Sequence, residues 1–114
     1  MKIGSQSAVI DRVFGPEKAL STLKSAGFET VDFSVENEAR LNLQSKAMEK
    51  YFTDLGKYAQ DIGIEIGQTH APFYSPEKHL ERNDEIIELQ KRAIAATGYL
   101  GSKYIIIHPL RTKE

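Results

Sequence analysis

Four short apolar segments alternate with three longer helical patterns along the chain. The short segments run from Lys2 to Ala8, from Thr30 to Val35, from Ile64 to His70 and from Tyr104 to Pro109. Between them, apolar residues recur every three or four positions, which is typical of helices that pack one face against a core. The sequence therefore predicts an α/β protein with the element order βαβαβαβ.

The helical pattern in the middle of the chain is the clearest. Its apolar residues step by four, three, four and three positions along one face: Met48, Phe52, Leu55, Ala59 and Ile62. The first helix is expected to begin at Pro16, because the first helical position does not need the N–H that proline lacks. Asn83 is the expected N-cap of the third helix, which carries Asp84 and Glu85 in its first turn.

A glycine closes each helical pattern shortly before the next strand. Gly27, Gly63 and Gly101 each suit the left-handed backbone position that follows a helix end. Strands joined by such helices run parallel, so their carboxyl ends lie at one edge of the sheet, where α/β proteins build their sites. The polar residues at these ends are Gln6, Ser34, Glu36, His70 and His108.

The fourth short segment contains an unbroken apolar run. Tyr104 is followed by three isoleucines, and such a run is typical of a strand in a parallel sheet with both faces covered. We therefore expect the strand from Tyr104 to Pro109 to be buried on both sides.

Two histidines occupy the same place in the repeat. His70 follows the third strand, His108 follows the fourth, and each precedes a proline by one or two residues. Adjacent parallel strands lie about 4.8 Å apart, so both imidazoles can reach one ligand or one transition metal. The alternative is that each histidine makes only local hydrogen bonds. A catalytic zinc takes about three protein ligands, so this pair would be part of a metal site.

Glu36 and Gln6 are the candidate substrate-binding residues. Glu36 follows the second strand, where its carboxylate could complete the histidine cluster or bind a sugar hydroxyl; the alternative is a solvated loop residue. Gln6 lies at the corresponding end of the first strand. His79 lies in a charged stretch and is expected to be exposed, outside the site.

Composition narrows the possible chemistry. The chain contains no cysteine, so a metal would have to be held by His, Asp or Glu. The net charge of −1 offers no broad basic face, which makes nucleic acid an improbable partner. The chain has neither an apolar run long enough for a bilayer nor a secretion signal, so we expect a cytoplasmic protein.

Three segments together resemble one family. The segment from His70 to Phe73, Ile107-His108-Pro109, and the turn from Ser25 to Phe33 are similar to the xylose isomerase-like TIM barrel superfamily, which includes sugar phosphate isomerases and epimerases, xylose isomerase and endonuclease IV. The resemblance covers essentially the whole chain. It implies a (β/α)8 barrel that uses a divalent metal (Zn, Mn, Co or Mg) and moves a proton next to the carbonyl of a sugar or sugar phosphate. In the endonuclease IV branch, the positions of His70 and His108 bind zinc; in many epimerases, early strands shape the sugar pocket instead.

The length of the chain qualifies this resemblance. A complete barrel needs roughly 250 residues, so residues 1–114 would form the N-terminal half of one. The family's acidic ligands and acid/base pair would then lie beyond the chain, and this segment alone is expected to be inactive. Two open sheet edges and an exposed apolar side would favour self-association.

Three functional hypotheses follow. The first is a metal-dependent sugar or sugar-phosphate isomerase or epimerase, the second is an abasic-site endonuclease, and the third is a non-catalytic oligomerising remnant. For the fold, a flavodoxin-like doubly wound sheet is the alternative, because the element order alone does not reveal whether a sheet closes.

Overall fold

In a computed structural model, which describes residues 1–74 and 80–109, the strands form one sheet in chain order. They are β1 (Gly4–Gln6), β2 (Thr30–Ser34), β3 (Glu65–His70) and β4 (Ile105–Ile106). Each strand pairs in parallel with the next. The predicted α/β class and parallel strands are therefore confirmed.

The strand order argues against the flavodoxin-like alternative. In that arrangement the first strand lies between the second and third. Here β2 pairs with both β1 and β3, and within the described residues β1 and β4 form the two edges of the sheet.

The helices are α1 (Ala8–Phe14), α2 (Pro16–Ser25), α3 (Glu38–Leu41), α4 (Ser45–Ile62) and α5 (Asn83–Tyr99), with a 3-10 turn at Leu80–Arg82. The three predicted helices are α2, α4 and α5. Gly27, Gly63 and Gly101 have φ angles of 95°, 78° and 82°, which confirms the left-handed helix ends. No helix in the described part of the chain has the length and apolar character needed to span a bilayer.

Two short helices were not predicted. The first strand ends at Gln6 rather than Ala8, because buried Ser7 turns the chain into α1 and its Oγ accepts a hydrogen bond from the backbone N–H of Ser34. α3 begins after Asn37, whose Oδ1 accepts a hydrogen bond from the N–H of Arg40. Both helices are too short to produce a clear apolar period.

Two boundaries near the end of the chain were wrong. Asn83 is the first residue of α5 rather than its N-cap, because the 3-10 turn leads directly into the helix. β4 contains only Ile105–Ile106 and is half-buried, while Tyr104 and Ile107 are exposed. Since β4 lies at an edge of the described sheet, the expected burial on both faces is not found.

The hydrophobic core lies between the sheet and the helices. Val31 and Phe33 are 1% and 0% exposed, so β2 turns these alternate side chains towards the helices. They belong to one buried cluster with residues of α2, α4 and α5, including Leu20, Leu23, Phe52, Leu55, Leu89 and Ala93. Thr30 and Asp32 alternate with them and face the other side of the sheet, here called the open face.

The open face is polar in the described residues, contrary to the expected apolar side. A cleft of about 480 Å³ crosses it, lined by Gly4, Gln6, Thr30, Asp32 and Gln68 among others. Exposed apolar side chains lie elsewhere: Ile3 before β1, Val9, Val13 and Phe14 in α1, Ile87 and Ile94 in α5, Phe73 after β3, and Tyr104 and Ile107 on either side of β4.

Candidate functional site

A row of polar residues crosses the open face near the carboxyl ends of the strands. Asp32 of β2 pairs in register with Gln6 of β1 and with Gln68 of β3. In the following row, Ser34 pairs with His70, which pairs with Ile106. The parallel sheet therefore brings two amides, a carboxylate and an imidazole onto one surface.

The closest polar contact on this surface joins Asp32 to His70. The two carboxylate oxygens of Asp32 lie 3.0 and 2.9 Å from Nδ1 of His70, and both side chains are about one quarter exposed, at 22% and 26%. A carboxylate can only accept a hydrogen bond, so Nδ1 of His70 carries the hydrogen. This leaves Nε2 of His70 as a basic atom, suited to accept a proton or to bind a metal.

His108 lies beside His70, as the strand-end pattern predicted. Their ring centroids are 5.8 Å apart and the rings are inclined by 23°, a stacked arrangement. Phe73 contacts the other histidine ring, with 4.5 Å between the centroids of Phe73 and His108. The two histidines are therefore brought together, although their metal-binding role stays a prediction.

A bulge at Gly67 determines which way His70 faces. Val31 pairs with Ile66, but the next residue of β2, Asp32, pairs with Gln68, so Gly67 is an extra residue in β3. In a regular strand Ile66 and His70 would share a face. The bulge instead lets Ile66 pack in the core while His70 joins Asp32 on the open face.

The lack of room for a side chain at position 67 favours glycine there. A Cβ at this position would lie 2.4 Å from Oγ1 of Thr30. Thr69, after the bulge, points towards α5, where its hydroxyl lies 2.7 Å from that of Thr97. This contact anchors the bulged strand to the helix layer.

Glu36 is engaged by a neighbouring arginine rather than by the histidines. Its Oε1 accepts hydrogen bonds from Nε of Arg12 at 3.1 Å and from Nη2 of the same side chain. This hydrogen bonding raises the pKa of Arg12. Gln6 is exposed on the open face beside Asp32. The substrate-binding roles assigned to Glu36 and Gln6 stay predictions.

A second cleft, of about 380 Å³, lies at the carboxyl end of β2 and is here called the arginine cleft. It is lined by Ala8, Asp11, Arg12, Ser34, Glu36, Asn37, Glu38, Arg40, Pro72, Phe73 and Tyr74. Ser34 is the register partner of His70, and Phe73 contacts His108. The arginine cleft therefore lies next to the two histidines, which are not among its lining residues.

Ion pairs fill the wall of the arginine cleft. Arg40 makes a two-pronged contact with Asp11, with distances of 3.0 and 2.9 Å, and Asp11 is only 8% exposed. Glu38 accepts hydrogen bonds from the hydroxyl of Tyr74 and from Arg82. Burial raises the pKa of Tyr74, and the hydrogen bond to Glu38 raises it further.

Sequence reasoning missed Asp32, although a signal was present. Asp32 lies between Val31 and Phe33 in a predicted strand, and the alternation places it on the face opposite the core. The alternation in the sequence did not indicate Gln68, because the side of the sheet on which it lies depends on the bulge at Gly67.

The described residues fit only part of a metal site. The hydrogen bond from Nδ1 of His70 to a carboxylate is common for metal-binding imidazoles. However, the described ranges contain no group of three or more His, Cys, Asp or Glu side chains placed to hold an ion. The prediction that His79 is exposed concerns a residue outside those ranges.

No protein-family model, curated protein or solved structure matches the chain. The similarity to the xylose isomerase-like superfamily therefore stays a prediction drawn from the two histidine segments and the turn. The geometry of the open face is the basis for the function proposed below.

Proposed function

We propose that the chain contributes the first four strands of a (β/α)8 barrel that isomerises or epimerises a sugar-like carbonyl compound. The observation that carries the proposal is the pair formed by Asp32 and His70, which places a basic Nε2 atom on a polar open face. Strands in chain order, with polar residues at their carboxyl ends, also support it.

The proposed chemical step is a proton transfer at the carbon next to the carbonyl. Nε2 of His70 accepts the proton, the C–H electron pair moves to give an enediolate, and the carbonyl oxygen gains the negative charge. Return of the proton to the opposite face of the same carbon gives an epimer. Its delivery to the former carbonyl carbon, together with transfer of the proton of the neighbouring hydroxyl to the former carbonyl oxygen, gives an isomer.

Asp32 is proposed as the positioning residue for this step. Its carboxylate holds His70 in the tautomer with a free Nε2 and stabilises the imidazolium formed after proton transfer. Gln6 and Gln68 flank Asp32, and their amides can donate to and accept from substrate hydroxyls.

Binding of a divalent metal is proposed as the alternative role of the two histidines. His70 and His108 are the residues that would hold it, together with ligands outside the described residues. When bound, such an ion would polarise the substrate carbonyl. In that arrangement Nε2 of His70 would be a ligand instead of the base, so assays with and without metal separate the two roles.

Completion of the barrel is proposed to come from strands that pair with β1 and β4. Those strands could belong to further sequence or to a second copy. The two open edges of the described sheet and the exposed apolar side chains of α1 and of the residues flanking β4 support self-association. The sequence led us to expect an inactive segment, but the Asp32–His70 pair changes this expectation. We expect the chain alone to catalyse proton exchange but not full conversion, since half of the site would be absent.

Solvent deuterium incorporation tests this proposal. The chain is incubated in D2O with a panel of ketoses and aldoses, without metal and with Mn, Co, Mg or Zn, and NMR follows the C–H next to the carbonyl. Exchange is expected in the wild type and not in His70→Gln, while Asp54→Asn, an exposed substitution on α4, should behave as wild type. A folded chain that exchanges no member of the panel above the protein-free rate would overturn the proposal.

An abasic-site endonuclease is the second candidate. The closeness of His70 and His108 favours it, because two imidazoles from neighbouring strands suit zinc. Zinc-dependent cleavage of a duplex with one abasic site would support this candidate, and failure to cleave that duplex would remove it.

A further inference from the structure

We propose that the site takes uncharged polyhydroxylated substrates and discriminates against phosphorylated ones. This inference rests on the proposed function and concerns the arginine cleft beside the two histidines. The cleft is lined by Ser34, the register partner of His70, and by Phe73, which contacts His108, so it is the neighbouring space into which a substrate seated at His70 would extend.

Both arginines that line the cleft in the described residues already have a carboxylate partner. Arg12 donates from Nε and Nη2 to Glu36. Arg40 donates to both oxygens of Asp11, and its guanidinium also lies 5.8 Å from the ring centre of Tyr51. The positive charge of each guanidinium is therefore already balanced by a carboxylate.

Arg82, next to the cleft, is held in the same way. Its Nη2 lies 3.3 Å from each oxygen of Glu38 and 2.7 Å from Oε1 of Glu85. The hydrogen bonds to Glu85 and Glu38 both raise the pKa of Arg82, which matches a cation held between two anions.

The charge balance of the described lining is negative. Arg12 and Arg40 face three carboxylates, those of Asp11, Glu36 and Glu38, so one negative charge is in excess. A phosphate ester adds about −1.5 to −2 charges at neutral pH. Placing such an ester beside three carboxylates and two arginines that already have anionic partners is electrostatically unfavourable.

One backbone donor that faces the cleft is already engaged. The N–H of Arg40, at the start of α3, is already bonded to Oδ1 of Asn37 at 3.1 Å. In contrast, sugar hydroxyls can donate to the oxygens of Glu36 and Glu38 and exchange hydrogen bonds with Asn37. The lining is therefore suited to a neutral polyol.

Ligand titration followed by backbone amide NMR tests the inference. The wild-type chain is titrated at constant ionic strength with D-fructose, D-fructose 6-phosphate and inorganic phosphate. We expect the neutral sugar to bind at least about ten-fold more tightly than its phosphate ester. Equal or tighter binding of the ester would overturn the inference.

One substitution tests the cause. Glu36→Gln releases Arg12 from its carboxylate and should raise the affinity for inorganic phosphate by about ten-fold. Glu88→Gln is the matched control, because Glu88 is exposed on α5 and pairs with Lys91 away from the cleft. Unchanged phosphate affinity in Glu36→Gln would show that the ion pair does not exclude anions and would contradict the inference.

Deuterium exchange separates this inference from the proposed function. Exchange confined to phosphorylated ketoses would overturn the inference while supporting His70 as a base. Faster exchange of neutral ketoses than of their phosphate esters supports both, and equal exchange of the two classes would overturn the inference alone. Exchange of neither class would overturn the proposed function itself.

Discussion

The Asp32 carboxylate lies 2.9 Å from Nδ1 of His70, although the two residues are 38 positions apart in the chain. They are diagonal neighbours across β2 and β3, because Asp32 pairs with Gln68 and Ser34 pairs with His70. This contact requires the bulge at Gly67, which turns His70 away from the core. The orientation of the proposed base is therefore set by the register of the sheet.

Substitution of Asp32 tests its positioning role. Asp32→Asn removes the negative charge and allows either tautomer of His70, since an amide can donate as well as accept. We expect the rate of deuterium exchange to fall by about 10- to 100-fold, with little change in substrate affinity. The exchange rate is measured at several substrate concentrations. A fall in substrate affinity with an unchanged maximal rate of exchange would instead indicate that Asp32 acts in binding alone.

Substitution of Gly67 tests the bulge. A methyl group there would meet Oγ1 of Thr30, so Gly67→Ala is expected to destabilise the chain by about 1–3 kcal/mol in urea unfolding. Combining it with Thr30→Ala should recover part of that loss. Gly98→Ala is the control, because a Cβ at Gly98 in α5 meets no atom within 4 Å. Alanine is favoured over glycine inside a helix, so this variant should have a free energy of unfolding higher by about 0.5–1 kcal/mol. A neutral Gly67→Ala would contradict the steric account.

Substitutions of the buried pair Thr69 and Thr97 are expected to have non-additive effects on the free energy of unfolding. Thr97 donates its hydroxyl hydrogen to the carbonyl of Ala93 at 2.7 Å, so it must accept from Thr69. Thr97→Val leaves the fully buried Thr69 hydroxyl without this partner, at a cost of about 1–3 kcal/mol. The double variant with Thr69→Val should cost less than the sum of the two single variants. Additive losses in urea unfolding would show that the hydroxyls do not interact.

Tyr74 gives a prediction at alkaline pH. Burial and the hydrogen bond to Glu38 raise its pKa in the folded chain, relative to about 10 in the unfolded chain. The resulting stabilisation is complete below pH of about 10 and is lost as the pH rises through the folded-state pKa. Near-ultraviolet phenolate absorbance should therefore show the same step near pH 10 in wild type and Tyr74→Phe. A smaller step in the variant at that pH would contradict the raised pKa.

Local patterns in the sequence were sufficient for most of the architecture. The periods that predicted α2, α4 and α5, and the glycines that end them, depend on neighbouring residues. The pairing of His70 with His108 was also predictable, because parallel strands end at one edge. The side of the sheet on which His70 lies was not predictable, since it depends on the extra residue in β3 relative to β2. The Arg12–Glu36 contact was missed because it depends on the unpredicted helix α1.

Long-range ¹H–¹⁵N NMR of the imidazoles, recorded during titration with D-fructose, tests the central claim most directly. Glutamine substitutions of His79 and His108 assign the His70 signals. We expect His70 to carry its hydrogen on Nδ1 at neutral pH and its Nε2 resonance to shift when the ketose binds. A His70 protonated on Nε2, or an Nε2 resonance unaffected at ketose concentrations that shift amides elsewhere on the open face, would contradict the claim that this atom faces the substrate.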